Sequence, residues 1–121
     1  MSGAERRAAR RAARLRMRRS RLMRWRDGVE GRREELEVLY VLARGGEAQR
    51  AILALVCEGG QLSATIERLS EDLSGYLRCD RAILSELRAL VWTYLARLRI
   101  LVTVILQDLA GDAESRNEEE V

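Results

Sequence analysis

The chain contains no proline in 121 residues, and this absence constrains the fold more than any other feature of the sequence. Proline interrupts helices most strongly, and here leucines recur at spacings of three and four residues, which is the period of a helix face. Hydrophobic residues make up 47% of the chain and charged residues 34%, a composition typical of globular or coiled-coil proteins. The sequence therefore predicts an all-α fold with a basic N-terminal helix, a small helical bundle and one long C-terminal helix.

Glycines mark the helix ends that the sequence predicts. The two Gly-Gly pairs, Gly45–Gly46 and Gly59–Gly60, are interpreted as helix breaks. The chain then divides into a basic arm (residues 1–26), a helical body (27–110) and an acidic tail (111–121) that is expected to be disordered. The candidate helices cover residues 4–26, 32–44, 47–58, a segment starting at residue 63, and 81–110.

Charge is distributed much less evenly than the net value of +3 suggests. The first 26 residues contain eleven arginines and one acid, Glu5, whereas the remaining residues contain eleven arginines and eighteen acids. All 22 basic residues are arginine, so only their clustering, and not the preference for arginine over lysine, is informative. The asymmetry predicts an arm with an electrostatic task on a body that folds and associates. The acidic tail is a candidate to fold back onto the arm.

The arm is amphipathic when it is placed on a helix at 100° per residue, with most of its arginines in one sector beside a thin apolar stripe. Arginine pairs at i, i+4, such as Arg7 with Arg11, repel one another, and an anionic partner would remove this repulsion. Nucleic acid is the first candidate, because arginine binds phosphate bidentately and Trp25 is placed to stack on an unpaired base. The predicted nucleic-acid-binding residues are Arg7, Arg10, Arg11, Arg14, Arg18, Arg21 and Trp25.

Residues 5–26, ERRAARRAARLRMRRSRLMRWR, resemble the arginine-rich RNA-binding helices of viral regulatory proteins such as lentiviral Rev and the lambdoid phage antiterminators. Trp25 is similar to the aromatic residue that those helices often carry. An arginine-rich arm joined to leucine-rich self-associating helices also resembles small viral accessory proteins encoded in overlapping frames. The chain departs from Rev in having its arginines at the N-terminus and in lacking a proline-leucine export segment. The resemblance implies RNA contact by Arg7, Arg11, Arg14, Arg18, Arg21 and Trp25.

Other partners of the arm are also compatible with its sequence. An organelle import receptor would recognise an arginine-, alanine- and leucine-rich segment that is nearly free of acids, and an anionic membrane surface would attract it as well. A solvated basic helix that balances the acidic body is the simplest interpretation. Among nucleic acids RNA is preferred to DNA, because no zinc ligands and no basic leucine zipper accompany the arm.

The last predicted helix has a seam of apolar residues that alternate in steps of three and four. Further apolar residues lie on its other faces, and three short helices would hardly cover so long a helix, so we expect a homodimer or a higher homo-oligomer. Residues 89–109 are long enough to span a membrane, but Arg97 and Arg99 near the middle would each cost about 2.5–3.5 kcal/mol there. The predicted self-association residues are Leu84, Leu87, Val91, Tyr94, Leu98, Leu101 and Ile105.

Residue types needed for most catalysis and metal binding are scarce in this chain. It has no histidine, no lysine and no CxxC motif, so we expect neither an enzyme nor a metal or cofactor site. Cys57 and Cys79 are expected to be small buried residues of a reducing compartment. An apolar signal segment is not apparent near the N-terminus, which predicts an intracellular protein, either nuclear or nucleolar, or cytoplasmic.

Overall fold

The chain forms a helical bundle in a computed structural model that describes residues 2–71 and 81–120, with side chains described for residues 2–71 and 82–115. No strand occurs among these residues, and the predicted all-α fold with a long C-terminal helix is confirmed. Cys79 lies outside the described residues. The described residues form four helices, namely α1 (Gly3–Glu30), α2 (Arg33–Leu42), α3 (Gly46–Glu71) and α4 (Arg81–Glu120).

Helix α3 is the centre of the bundle, since it contacts each of the other three helices. Arg19 and Arg26 of α1 meet Ser70 and Glu67 of α3 respectively, so these two helices run antiparallel. Helix α4 also runs antiparallel to α3 and therefore parallel to α1. Between α2 and α3, Gly45 has a φ of 105°, a left-handed conformation that favours glycine.

Among the side chains that the structure describes, fifteen buried apolar ones from all four helical regions form the core. Six of the seven residues in the predicted seam of α4 belong to it, and the seventh, Leu101, packs against it half-buried. The expectation that this seam pairs with a second chain is therefore corrected, because its side chains are used inside this one. The core residues are Leu22, Val29, Leu36, Leu39, Ala43, Ile52, Leu55, Leu62, Ile66, Leu84, Leu87, Val91, Tyr94, Leu98 and Ile105.

The predicted helix break at Gly59–Gly60 is wrong, because both glycines lie inside α3, which is 26 residues long. A Cβ atom at Gly59 would lie 2.8 Å from the hydroxyl oxygen of Tyr94 and 3.1 Å from its Cζ, whereas nothing lies within 4 Å of one at Gly60. Gly59 therefore serves close packing of α3 against α4 instead of a turn. The single long helix, about 39 Å at 1.5 Å per residue, also explains how the chain covers the seam of α4 by itself.

Tyr94 is the largest fully buried side chain in the described part of the chain, with 1% of its surface exposed. Burial raises the pKa of its phenol above the ordinary value of 10.0, and the carboxylates of Glu58 and Glu30 raise it further. The phenol is therefore neutral throughout the physiological range.

The ends of the helices also differ from expectation. Helix α4 passes through Gly111 and continues to Glu120, so the backbone of the predicted disordered tail is helical up to that residue. A glycine in an exposed helix costs only about 1 kcal/mol, and Asp112 forms an ion pair with Arg44 at 3.4 Å. Cys57 is exposed, contrary to the prediction that it is buried.

Within the described residues, one stretch of α4, Ala82–Ser115, is long and apolar enough to cross a membrane by length and composition alone. The residues of its apolar seam pack on the other helices, and 22% of its most apolar window is buried. Five large apolar side chains of α4 are exposed on its remaining surface, namely Leu90, Trp92, Ile100, Val104 and Leu106.

Candidate nucleic-acid interface

Helix α1 has two parts that differ in their contacts. We call residues 3–14 the outer segment; all of its side chains are exposed except that of Ala13, which is half-buried. We call residues 15–30 the inner segment; it buries Leu22 and Val29 completely in the core. At 1.5 Å per residue the outer segment presents about 18 Å of helix to solvent.

The outer segment begins with a complete helix cap. The backbone amide of Glu5 donates to the Ser2 hydroxyl at 3.1 Å, and the Ser2 amide donates to the Glu5 carboxylate at 3.3 Å. This capping box satisfies two of the amides that a helix start leaves without partners, and a carboxylate there also opposes the helix dipole favourably. The only acid among the first 26 residues thus supports the helix that displays the arginines.

Eight of the eleven arginines of α1 have no counterion among the residues whose side chains are described. Two of the other arginines face the bundle: Arg19 donates to the carbonyl oxygen of Ser70 at 3.3 Å, and Arg26 pairs with Asp27 at 3.1 Å and Glu67 at 3.6 Å. The eight make no side-chain hydrogen bond or ion pair with any part of the chain that the structure describes. These are Arg7, Arg10, Arg11, Arg14, Arg16, Arg18, Arg21 and Arg24.

Four of the predicted phosphate-binding arginines lie together on the outer segment. Arg7, Arg10, Arg11 and Arg14 line an open groove of about 420 Å³ together with Met17, whose side chain is 67% exposed. The groove thus combines several guanidinium groups with a thin apolar surface. Arg18 follows on the same helix, half-buried.

The remaining two predicted residues, Arg21 and Trp25, lie in a different place, where the inner segment meets α4. We call this the tryptophan cavity: it has a volume of about 440 Å³ and is lined by Arg21, Arg24 and Trp25 of α1 and by Arg88 and Trp92 of α4. Trp25 is half-buried and packs against the core, whereas Trp92 is 62% exposed. Trp92 is therefore the aromatic side chain that is free to contact a ligand.

Sequence reasoning missed Arg24, Arg88 and Trp92 as parts of this site. The sequence contains one signal that links the two walls: the chain has only two tryptophans, and each follows an arginine by four residues, as Arg21–Trp25 and Arg88–Trp92. Residues four apart lie on the same face of a helix, so each helix offers one arginine beside one indole. Only the packing of α1 on α4 reveals that the two pairs face one cavity.

The described part of the acidic tail does not neutralise the arm. Asp112 pairs with Arg44, 24 residues beyond the tryptophan-cavity residue Arg88 on α4, which corresponds to about 36 Å along the helix. No cluster of three or more potential metal ligands occurs among the described residues.

No family model, no curated protein and no solved structure matches this chain, so the geometry of its exposed arginines and of the tryptophan cavity is the guide to its ligand.

Proposed function

We propose that the protein is a non-enzymatic nucleic-acid-binding protein with a preference for RNA, and that it binds phosphates through the exposed arginines of α1. The observation that carries the proposal is the set of eight guanidinium groups on one helix without a counterion among the described residues. Like charges at i, i+4 spacing destabilise the helix that carries them, and a polyanion along the helix removes that cost.

The chemistry of the groove suits a phosphate backbone. Guanidinium groups donate two parallel hydrogen bonds to phosphate, and a helix that carries a row of them contacts successive phosphates of one strand. With five to eight such contacts, the logarithm of the binding constant is expected to fall with the logarithm of salt concentration at a slope of about −4 to −7.

A preference for RNA is supported by the tryptophan cavity and by the sequence resemblance to arginine-rich RNA-binding helices. Aromatic side chains beside arginines suit unstacked bases, which loops and single strands of RNA provide. A regulatory or accessory role inside the cell agrees with the proposed binding of RNA. In such a role a homodimer or higher oligomer would multiply the phosphate contacts, and its interface would involve the exposed residues Val104 and Leu106 of α4, since the core seam is occupied.

A matched pair of variants tests the proposal. The arm variant changes Arg7, Arg10, Arg11 and Arg14 to Gln, and a body variant with the same net charge changes Arg33, Arg50, Arg68 and Arg99 to Gln. Fluorescence anisotropy with hairpin RNA, single-stranded RNA and duplex DNA, over a salt series, should show that the arm variant binds RNA about 100-fold more weakly with a slope reduced by about four. The body variant should differ from the parent by less than about threefold.

Two results would contradict this assignment. Equal losses in the two variants would mean that net charge alone governs the binding. Unchanged RNA affinity in the arm variant would remove the arm from the interface.

A membrane surface is the second candidate function, favoured by the exposed apolar residues of α4 beside the basic helix. In that case the protein should bind anionic vesicles, and binding should persist at high salt because apolar burial is not screened. Retention of vesicle binding by the arm variant, with no measurable affinity of the parent for RNA, would establish this alternative over the first.

A further inference from the structure

We propose that the tryptophan cavity between α1 and α4 is a binding subsite for one unpaired nucleotide of a single-stranded RNA. The base stacks on the indole of Trp92, and the arginines that line the cavity bind the adjacent phosphates. This inference rests on the proposed function and sharpens it, since it specifies which form of RNA the protein prefers.

The walls of the cavity combine cationic and aromatic side chains. Three of its five lining residues are arginines from two helices, two are tryptophans, and no carboxylate lines it among the described residues. Three cations converging on one cavity repel one another unless an anion is present. The pairing of two indoles with three guanidinium groups therefore matches a ligand that has both an aromatic ring and a negative charge, which is the chemistry of a nucleotide.

Trp92 offers an exposed aromatic surface in the cavity wall. An indole that is 62% exposed leaves a large apolar surface in water, whereas Trp25 on the opposite wall packs against the core. Trp92 thus combines a large exposed surface with a place in the cavity wall beside the three arginines. Stacking of a base covers such a surface and is tolerant of base identity, because every base has an aromatic face.

The core holds both walls of the cavity in place. On α4, Arg88 and Trp92 each directly follow a buried residue, Leu87 and Val91 respectively. On α1, Leu22 directly follows Arg21 in the sequence and is 0% exposed. Because both walls are anchored in this way, a ligand loses little free energy in ordering the site.

Single-stranded RNA fits this site better than a duplex. Bases within a duplex are already stacked on both faces, so a stacking side chain has access only to loops, bulges and free strands. The groove of the outer segment, by contrast, contacts phosphates that both forms present. The protein should therefore bind both forms through the outer segment and single strands additionally through the tryptophan cavity.

The test compares Trp92→Ala, Trp92→Phe and a control, Ile100→Ala, in the full chain. Ile100 is 65% exposed on another face of α4, so its truncation removes a similar exposed apolar group without touching the cavity. Affinities for a single-stranded RNA and for a blunt RNA duplex of the same length are measured by anisotropy. Circular dichroism verifies that each variant is folded.

Trp92→Ala should weaken single-strand binding about 5- to 150-fold, the range that loss of one base–aromatic stack produces. It should leave duplex affinity and its salt slope within about twofold of the parent. Trp92→Phe should retain most of the single-strand affinity, and Ile100→Ala all of it. Arg88→Gln should reduce the salt slope by about one for the single strand and not for the duplex.

The outcomes separate the two proposals. If the arm variant loses RNA binding but Trp92→Ala leaves the ratio of single-strand to duplex affinity unchanged, the subsite is wrong and the proposed function stands. If the arm variant keeps its RNA affinity, the proposed function itself fails. If Trp92→Ala weakens binding to phosphatidylserine vesicles and not to RNA, the cavity is a membrane contact and the nucleotide subsite is overturned.

Discussion

The outer and inner segments of α1 carry arginines at similar density, yet the outer segment is exposed except at Ala13 and the inner segment is part of the core. Seven-residue spacing explains the difference: Leu15, Leu22 and Val29 place apolar side chains on one face of the inner segment. One step of seven further back the same face offers only Ala8, which is exposed. An alanine buries too little apolar surface to hold a helix against a bundle. Packing of an arginine-rich helix is thus decided by the apolar residues between its cations.

Leu22 provides the strongest test of this difference, because it is 0% exposed and lies in the inner segment among arginines. Leu22→Ala should lower the free energy of unfolding by about 2–5 kcal/mol, through lost apolar burial and the cavity left behind. Met17→Ala, five residues earlier and 67% exposed in the parent, should change it by less than about 0.5 kcal/mol. Urea denaturation followed by circular dichroism measures both values.

One result would contradict the expected difference in stability between these two variants. Similar small effects of Leu22→Ala and Met17→Ala on the urea midpoint would mean that the inner segment does not share the core. The basic helix would then be an independent element along its whole length.

Much of the fold follows from local sequence, because helix periodicity, the basic first helix and the apolar seam of α4 are short-range patterns. The break predicted at Gly59–Gly60 fails because a glycine pair has two physical uses, a turn or a close approach of helices. Which use applies depends on Tyr94, which lies 35 residues away in sequence. The candidate site also has a part that local sequence predicts and a part that depends on distant residues. The arm alone predicts the arginines of the outer segment, whereas Arg88 and Trp92 join the site only through packing of α4 on α1.

Gly59 offers a test with a matched control in the adjacent residue. Val29 and Glu30 at the end of the inner segment border the place where Gly59 meets Tyr94. Gly59→Ala places a Cβ 2.8 Å from the buried hydroxyl of Tyr94, and should destabilise the protein by about 1–3 kcal/mol through overpacking. Gly60→Ala meets nothing within 4 Å and should stabilise it by about 0.5–1 kcal/mol through helix propensity. Thermal and urea unfolding of the two variants give the signs.

The two glycine substitutions are expected to change the free energy of unfolding in opposite directions, and this difference is the test. Destabilisation by both substitutions would restore the view that residues 59 and 60 form a flexible break. In either variant the RNA affinity of the folded protein should be unchanged, because neither glycine lines the outer-segment groove or the tryptophan cavity.

The smallest expected effect concerns the start of the outer segment, whose helix depends on its cap instead of on packing. Ser2→Ala removes the hydroxyl that accepts from the Glu5 amide, a loss of about 0.5–2 kcal/mol of local helix stability. Because no residue of the outer segment is in the core, this loss should appear as faster amide hydrogen exchange in residues 3–14, with an unchanged midpoint of global unfolding. Ser20→Ala, an exposed mid-helix control, should leave both unchanged.

Addition of RNA should return the exchange rates of the Ser2→Ala variant towards those of the parent, because phosphates relieve the repulsion between arginines that the cap otherwise opposes. A shift of the global unfolding midpoint in Ser2→Ala would instead mean that the outer and inner segments unfold as one unit. The distinction between a helix held by its cap and a helix held by its core would then be lost.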